Sequence, residues 1–252
     1  MIIQIYEIQT PQEARALVEL GVDHIGSVIQ DNARWNAPVI KDVIGAVRKT
    51  PAKSSLIPLF SNPDAVYRVL GHLRPDILHL CESLLLCSTE ELERLQHLQQ
   101  GMREAFPAVA MMRTIPVPAG PHDAGEKVLA LARRFEPVSD FFLIDTHAPH
   151  SPVAGFTGIT GKPCDWELAA GVVRQSGIPV ILAGGLGPEN VMEAIRAVRP
   201  AGVDSCTGTN ARDSVAMPIR FQKDLRRVRC FVDQVRSAQK ALASFPGMKN
   251  TA

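Results

Sequence analysis

The feature that most constrains the fold is an alternation of short apolar runs with longer amphipathic segments, repeated eight times along the 252 residues. Apolar runs of about four to eight residues are typical of buried strands, and amphipathic segments of about ten or more are typical of helices. Strands that alternate with helices form parallel sheets with right-handed crossovers. Because eight such units in about 250 residues match a closed barrel, we predict a single (β/α)8 TIM barrel over residues 1–243. A doubly wound open sheet shows the same alternation and stays an alternative.

Capping residues set the boundaries of these elements. Thr10 and Ser88 are candidate N-caps with a glutamate three positions later, and Pro11 and Pro188 suit the first helical position. The predicted strands cover 2–8, 24–28, 55–60, 77–80, 109–115, 141–145, 179–183 and 202–204. The predicted helices cover 11–20, 38–49, 63–72, 124–135, 165–175, 188–198 and 219–242, with one more that opens at residue 88.

The composition excludes several classes of protein. A net charge of +1 supplies no basic surface for a nucleic-acid backbone, and no window approaches the ~18 uninterrupted apolar residues of a membrane span. The N-terminus lacks the basic region and cleavage site of a signal peptide. Five scattered cysteines without a CxxC pair indicate a reducing compartment. We therefore expect a cytoplasmic protein that binds neither nucleic acid nor membrane, a monomer or homodimer whose polar tail 244–252 is disordered.

Two loops of small residues point to a phosphate site. Residues 183–190 follow the seventh predicted strand and contain three glycines, which allow a tight turn and present bare N–H groups to an anion. Residues 206–210 follow the eighth strand and are small and polar. Loops after strands seven and eight commonly hold phosphate in TIM barrels, so we predict a small phosphorylated substrate above the C-terminal ends of the strands. The alternative is that these glycines only form tight turns.

Several stretches are similar to the phosphoribosylanthranilate isomerase family, the barrel enzymes of tryptophan biosynthesis. The resemblance covers most of residues 1–235 in order and is most specific between 182 and 204. Its matching stretches are 33–35, 143–145, 161–166, 182–191 and 197–204. The resemblance implies a TIM barrel of the ribulose-phosphate-binding type and an Amadori rearrangement of a phosphorylated aminosugar. We expect no cofactor.

The resemblance also implies roles for individual residues. An aspartate at the end of strand six is the family's general acid, and this position matches Asp145. An arginine in the loop after strand two contacts the anthranilate carboxylate in the family, and it matches Arg34. The phosphate-binding positions match Gly184, Gly185, Asn190, Thr207 and Gly208.

The family's general base does not carry over. At the end of strand one the family reads Lys-Ile-Cys-Gly, whereas residues 4–7 here read Gln-Ile-Tyr-Glu. Tyr6 therefore stands at the cysteine position. Arg113 replaces a lysine of strand five, and we predict that Tyr6 and Arg113 contact the substrate. The pattern indicates a related phosphosugar with different chemistry, or the same chemistry with a relocated base.

Three other residues are candidates for that base, which an isomerase needs to take a proton from carbon. His79 titrates near neutrality, and Cys81 lies two positions further on the same strand, so both should face the barrel interior. Glu7 is chemically a better base than Tyr6, whose ordinary pKa is ~10, but strand alternation turns it away. We rank His79 and Cys81 above Glu7. His79 and Cys81 each have a structural alternative as a buried filler, and Glu7 could swing inward from the loop if the strand ends at Tyr6.

Two other functions stay open. A metal-dependent epimerase or aldolase would need ligands that converge at the barrel mouth, although no compact ligand motif is present and we expect no metal. The candidate ligands are His79, Cys81, Glu82, Asp145, His147 and His150. A non-catalytic phospholigand-binding barrel would explain the lost base. The long loop 147–163 is typical of a lid or a disordered segment.

Two residues near the mouth also have two interpretations each. Asp145 could pair with Lys162 or a backbone amide and hold the loop rather than act in catalysis. Trp35 could stack on a substrate ring or cap the edge of the barrel.

Overall fold

Eight parallel strands close into a barrel, because β1 pairs with both β2 and β8. The computed structural model describes residues 1–120, 123–148 and 153–244, so the predicted tail beyond residue 244 lies outside the described residues. The barrel strands are β1 (Ile2–Ile5), β2 (His24–Ile29), β3 (Lys53–Pro58), β4 (Ile77–Leu80), β5 (Ala110–Pro118), β6 (Phe141–His147), β7 (Val180–Leu182) and β8 (Gly202–Ser205). The predicted TIM barrel is confirmed, and the open sheet is excluded.

The helices alternate with the strands, as the apolar pattern predicts. They are α1 (Pro11–Glu19), α2 (Pro38–Val47), α3 (Pro63–Leu73), α4 (Thr89–Ala105), α5 (Gly125–Phe135), α6 (Trp166–Gln175), α7 (Val191–Val198) and α8 (Leu225–Ala243). The N-caps at Thr10 and Ser88 are confirmed. Helix α7 starts later than predicted, because Asn190 and Gly187 hydrogen-bond to each other and hold Pro188 in the preceding turn. Among the described helices, none has the length and apolarity to cross a membrane.

Three aspartates tie neighbouring strands together at the N-terminal end of the barrel. Each directly precedes an even-numbered strand, and its carboxylate accepts the backbone N–H of the preceding odd-numbered strand. The pairs are Asp23 with Ile3 at 2.8 Å, Asp76 with Ser54 at 2.8 Å, and Asp140 with Met111 at 2.7 Å. These basal aspartates satisfy strand donors that have no partner in the ladder, which stabilises the lower rim.

Two parts of the hydrophobic core define the layers of the barrel. The larger part lies between the strands and the helices, where residues such as Ile5 and Phe142 pack against Leu17 and Phe231. The smaller part fills the lower barrel with Ile77, Met112, Leu143, Ile181 and Ala183. The cavities that contain Asp145 and Asp204 lie above this apolar floor, with Leu143 and Ala183 in their lining. The candidate site therefore lies at the C-terminal end of the barrel.

The segment before the last helix differs from its predicted structure. Residues 219–223 were expected to be helical, but β9 (Asn210–Arg212) and β10 (Pro218–Lys223) form an antiparallel hairpin. Asp224 then caps α8 by accepting the N–H groups of Arg226 and Arg227. Phe221 has a φ of +60°, a left-handed conformation that a helix excludes. The hairpin therefore interrupts the long helix and contributes residues to the barrel mouth.

Candidate active site

The two predicted phosphate loops lie side by side at the C-terminal rim. The Ser205 hydroxyl donates to Leu186 O at 2.7 Å and joins the end of β8 to the loop after β7. A Cβ on Gly208 would overlap Leu186 O, so the two loops approach closely only because residue 208 is glycine. Gly184, Gly185 and Thr207 line one small cavity between them. The spatial arrangement required for a shared anion site is therefore present.

The backbone of both loops offers unused donors. Gly184 and Gly185 have φ values of +85° and +58°, which turn their amides out of the strand direction. Within the described part of the chain, the N–H groups of Gly184, Gly185, Thr207 and Gly208 donate to no other group. Clustered backbone N–H groups of this kind bind anions.

Asn190 has a different position from the one expected of a phosphate ligand. Its Oδ1 accepts the N–H of Gly187 at 2.9 Å, and its Nδ2 donates to Gly185 O at 3.1 Å. Both side-chain atoms are therefore engaged inside the glycine loop. The structure gives Asn190 the role of bracing the loop, where the sequence indicated contact with phosphate.

Asp145 lies within β6 near its C-terminal end and faces the cavity. Burial raises the pKa of Asp145 to about 6, although the N–H of Thr146 donates to its carboxylate at 2.7 Å. Gly158 covers the carboxylate so closely that a Cβ there would overlap Oδ2. The alternative ion pair is not formed, since Lys162 makes no salt bridge to Asp145 among the described residues. The raised pKa keeps a fraction of this carboxyl protonated near neutral pH, as a proton donor requires.

Asp204 on β8 is a second carboxyl in the same cavity, and sequence analysis missed it. It is 6% exposed, and Gln4 Nε2 donates to its Oδ1 at 3.1 Å. Burial raises the pKa of Asp204 to about 8, and the negative charge of Asp145 adds to the increase. Both carboxyls line the cavity that also reaches Tyr6 and the phosphate loops. The available signal was an aspartate at the end of a barrel strand, where catalytic groups lie in this fold.

His79 is held by hydrogen bonds on both ring nitrogens. The Tyr6 hydroxyl lies 2.8 Å from Nδ1 and 2.6 Å from the Ser55 hydroxyl, and Thr114 Oγ1 lies 2.7 Å from Nε2. Burial, with the nearby positive charge of Arg113, lowers the pKa of His79 to about 3. This histidine is therefore neutral, and both of its ring nitrogens are hydrogen-bonded to protein groups. It fits the alternative in which His79 fills the barrel interior, and it makes a poor base.

Tyr6 lies at the barrel mouth and does not take over the role of the family's cysteine as a base. Burial raises the pKa of its hydroxyl well above the ordinary value. Its ring lies against Gly26, where any Cβ would overlap the ring atoms. The ring lines the cavity beside Asp145 and Asp204, and its contact with substrate stays a prediction.

Cys81 and Glu7 are also unsuitable as bases. Burial and the charge of Glu82 raise the pKa of the Cys81 thiol well above its usual range. Glu7 accepts hydrogen bonds from Asn210, Arg220 and the backbone N–H of Phe221, and these donors lower its pKa despite burial. Its φ of +67° is costly for a residue other than glycine. The structure therefore makes Glu7 the anchor of the hairpin.

Arg113 points away from the substrate cavity, so the structure does not support its predicted role in substrate binding. It pairs in register with Leu80, whose side chain packs outside the barrel. Its Nη1 lies 2.5 Å from Glu82 Oε2, and its Nε donates to Gln99 Oε1 at 2.7 Å. The guanidinium also lies 4.9 Å from the ring centre of Phe135. Arg113 is thus a structural cation between strands and helices.

Arg34 lies on an exposed single-turn helix at the rim. It lines an open cleft of about 500 Å³ that shares Val28 with the cavity of the two aspartates. Its guanidinium makes no hydrogen bond to any other described residue, so its donors can reach an anionic group. Trp35 packs edge-on against His72, with their ring centroids 5.4 Å apart. This contact corresponds to the alternative in which Trp35 caps the edge of the barrel.

The described residues bring together no group of three or more His, Cys, Asp or Glu side chains that could hold a metal ion. Of the candidate ligands, His150 lies outside the described residues. The part of the 147–163 loop from residue 153 onward is tied to the end of β4, since Thr157 N donates to Cys81 O at 2.8 Å. This part of the loop forms one wall of the cavity.

A family model and two curated relatives carry the same description. The family model for N-(5'phosphoribosyl)anthranilate (PRA) isomerase matches residues 101–234. A protein named N-(5'-phosphoribosyl)anthranilate isomerase from Methanocella arvoryzae is 32% identical over 244 residues, covering 93% of this chain and 97% of that protein. Another, from Stenotrophomonas maltophilia, is 31% identical over 233 residues, covering 90% and 88%.

Solved structures agree in fold. Phosphoribosyl anthranilate isomerase from Thermotoga maritima has a TM-score of 0.69 and 21% identity, covering 94% of this chain and 100% of that one. The enzyme from Pyrococcus furiosus has a TM-score of 0.67 and 20% identity, covering 94% and 99%. With the barrel, its paired loops and relatives of this similarity over nearly the whole chain, the protein belongs to the phosphoribosylanthranilate isomerase family.

Proposed function

We propose that this protein is an isomerase that converts a phosphorylated N-substituted aldosylamine of the phosphoribosylanthranilate kind into the corresponding aminoketose. The observation that carries the proposal is that two largely buried carboxyls, Asp145 and Asp204, share one cavity with the free amides of the phosphate loops. Acid–base isomerisation needs one proton donor and one proton acceptor beside the same sugar. Asp145 and Asp204 supply this pair without the family's cysteine.

The proposed reaction starts with proton transfer from Asp145 to the ring oxygen of the bound sugar. The C1–O bond breaks, and its electrons go to the oxygen while the amine nitrogen forms an iminium at C1. Asp204, ionised in this state, takes the proton from C2, and the released electron pair forms the C1–C2 double bond as the iminium nitrogen becomes neutral. Transfer of the O2 proton to C1 then yields the ketone. One proton is given and one is taken, so the pair ends with its original proton count.

The two carboxyls are suited to this exchange at neutral pH. The pKa of Asp145 rises to about 6 and that of Asp204 to about 8 through burial, with the Asp145 charge acting on Asp204. Between these values the pair holds a single proton. This proton lies mainly on Asp204, whose pKa is higher, and the reaction proceeds from the form in which it lies on Asp145. Nearby carboxyls that share a proton commonly divide acid and base roles in this way.

The ends of the substrate have separate binding groups. The N–H groups of Gly184, Gly185, Thr207 and Gly208 would bind the phosphate, and Arg34 would bind an acidic group at the opposite end. The cavity at the two aspartates measures about 60 Å³, whereas ligand sites commonly span ~300–1,000 Å³. Substrate entry therefore requires its walls to move apart.

The test is a turnover assay on N-(5'-phosphoribosyl)anthranilate and other phosphorylated aldosylamines. Asp145→Asn and Asp204→Asn should each lower kcat by at least about a hundredfold, the usual range for one acid or base. Asp42→Asn, an exposed carboxylate on α2, is the matched control and should leave kcat unchanged. Phosphate binding without turnover of any substrate would instead support the phospholigand-binding alternative. Full activity of Asp145→Asn would exclude the proposed acid.

A sedimentation measurement on the purified protein tests the oligomeric state. We propose a monomer or a homodimer in the cytoplasm. A larger assembly at working concentration would contradict that proposal.

A further inference from the structure

A row of three side chains crosses the barrel interior and ends at the candidate site. In the strand register, Gln4 on β1 lies beside His24 on β2 and beside Asp204 on β8. Gln4 Nε2 donates to Asp204 Oδ1 at 3.1 Å, and Gln4 Oε1 lies 3.0 Å from His24 Nδ1. Gln4 is fully buried, and the other two are each 6% exposed. These hydrogen bonds are therefore shielded from solvent, where each is stronger than in water.

The direction of the hydrogen bonds in this row follows from the chemistry of its members. An amide oxygen can only accept, so His24 Nδ1 must carry a proton and donate it to Gln4. Burial lowers the pKa of His24 to about 4, so the ring is neutral and its one proton lies on Nδ1. The Gln4 amide is thereby oriented with its NH2 group toward Asp204. With Asp204 ionised, the reversed amide would aim its oxygen at the carboxylate and lose the contact.

We propose that Gln4 is a positioning residue for Asp204, and that His24 holds Gln4 in the orientation this requires. The inference rests on the proposed function in taking Asp204 as the acceptor of the carbon proton. The N–H of Gln4 fixes Oδ1 of Asp204, while Oδ2 makes no hydrogen bond to another described residue. One carboxyl oxygen is thus held and the other stays available. His24, at the lower opening of the barrel, acts on the site without lining its cavity.

Four other groups act on Asp204, each from a different part of the chain. Asp145 on β6 disfavours the ionised form, and Lys223 on β10 favours it. Tyr6 and Cys206 also lie near enough to interact electrostatically with Asp204. Substitution of Gln4 or His24 removes none of these groups. A change in the titration of Asp204 can therefore be attributed to the loss of the Gln4 donor.

The test is a 13C NMR titration of the aspartate side-chain carboxyls in the whole protein, with Asp204 assigned through Asp204→Asn. Gln4→Met keeps the side-chain length and removes the donor, which stabilised the ionised form. The pKa of Asp204 should rise by about one unit or more, as expected for loss of one hydrogen bond to a charged group. Gln99→Met removes another fully buried glutamine amide and should leave the pKa of Asp204 unchanged.

Two substitutions at His24 separate positioning from packing. His24→Leu removes the donor to Gln4 and should raise the pKa of Asp204 in the same direction as Gln4→Met. His24→Asn retains an N–H near the Nδ1 position and should restore most of the wild-type value. If Gln4→Met does not fold, Gln4→Asn keeps an amide that is one methylene too short to reach Asp204, and the same rise is expected.

The outcomes are decisive. An unchanged Asp204 pKa in the folded Gln4 variants would overturn the positioning role of Gln4. An Asp204 pKa in His24→Leu equal to that of the wild type would overturn the claim that His24 holds Gln4 in its orientation. The titration needs no substrate, so failure of the isomerase assay would not affect it. In an active enzyme, His24→Leu should lower kcat about tenfold with little change in KM, and His24→Asn should recover it.

Discussion

Replacement of Glu82 by alanine should destabilise the protein strongly and leave substrate affinity intact. Arg113 is 1% exposed, and its Nη1 lies 2.5 Å from Glu82 Oε2. Glu82→Ala leaves this guanidinium with Gln99 and the Phe135 ring as neutral partners. Removing one member of a buried ion pair costs about 3–5 kcal/mol. At roughly 2–4 °C per kcal/mol for a chain of this size, Tm should fall by roughly 6–20 °C.

The assay combines thermal unfolding followed by circular dichroism with steady-state kinetics below the transition. Glu82→Ala/Arg113→Met should recover most of the lost Tm, because neither charge is then left buried alone. KM should stay near the wild-type value in Glu82→Ala, in Arg113→Met and in the double variant. The reasoning is refuted if Arg113→Met unfolds at the wild-type temperature but raises KM severalfold. Arg113 would then bind substrate, as its place in the family motif implied.

Three further predictions concern close contacts and the lower rim. Gly158→Ala should lower kcat at least about tenfold, because the new Cβ overlaps Asp145 Oδ2. The control is Gly155→Ala, which is also at positive φ but has open space around it and should keep the wild-type kcat. Equal losses of kcat in the two variants would contradict the role of the Gly158 contact. Gly26→Ala should cost about 1–3 kcal/mol in urea unfolding through overlap with the Tyr6 ring, and a second change, Tyr6→Cys, should relieve it. Replacement of any one basal aspartate by alanine should lower the free energy of unfolding by about 1–3 kcal/mol. If all three variants kept the wild-type free energy of unfolding, the basal aspartates would not stabilise the lower rim.

The barrel could be predicted from the sequence because its signals are local. The spacing of apolar residues identified all eight strands and eight helices, and the caps at Thr10 and Ser88 are formed as expected. The glycine-rich turn after β7 and the small residues after β8 indicated where two loops would meet. Closure itself depends on the pairing of β1 with β8, which no local pattern encodes.

The errors at the site have a different origin, namely the direction in which each side chain points. Strand β5 is almost wholly buried on both faces, so alternation of polar and apolar residues could not show that Arg113 points outward. The hairpin at 210–223 depends on Glu7, which is distant in sequence and anchors it through Arg220 and Asn210. Asp204 was overlooked because its importance comes from burial beside Asp145, which becomes visible only when β6 and β8 face one cavity.

The pH dependence of kcat/KM in the wild type and in Asp204→Asn tests the central claim most directly. If Asp145 and Asp204 act with one shared proton, activity should rise as the pH passes about 6, reach its maximum near neutrality, and fall as the pH passes about 8. Asp204→Asn should remove most of the activity, abolish the rise through about pH 6, and leave a fall that moves from about 8 to about 6, because only the protonated form of Asp145 is then required. A flat wild-type profile, or a rise through about pH 6 that persists in Asp204→Asn, would contradict the role of the carboxyl pair.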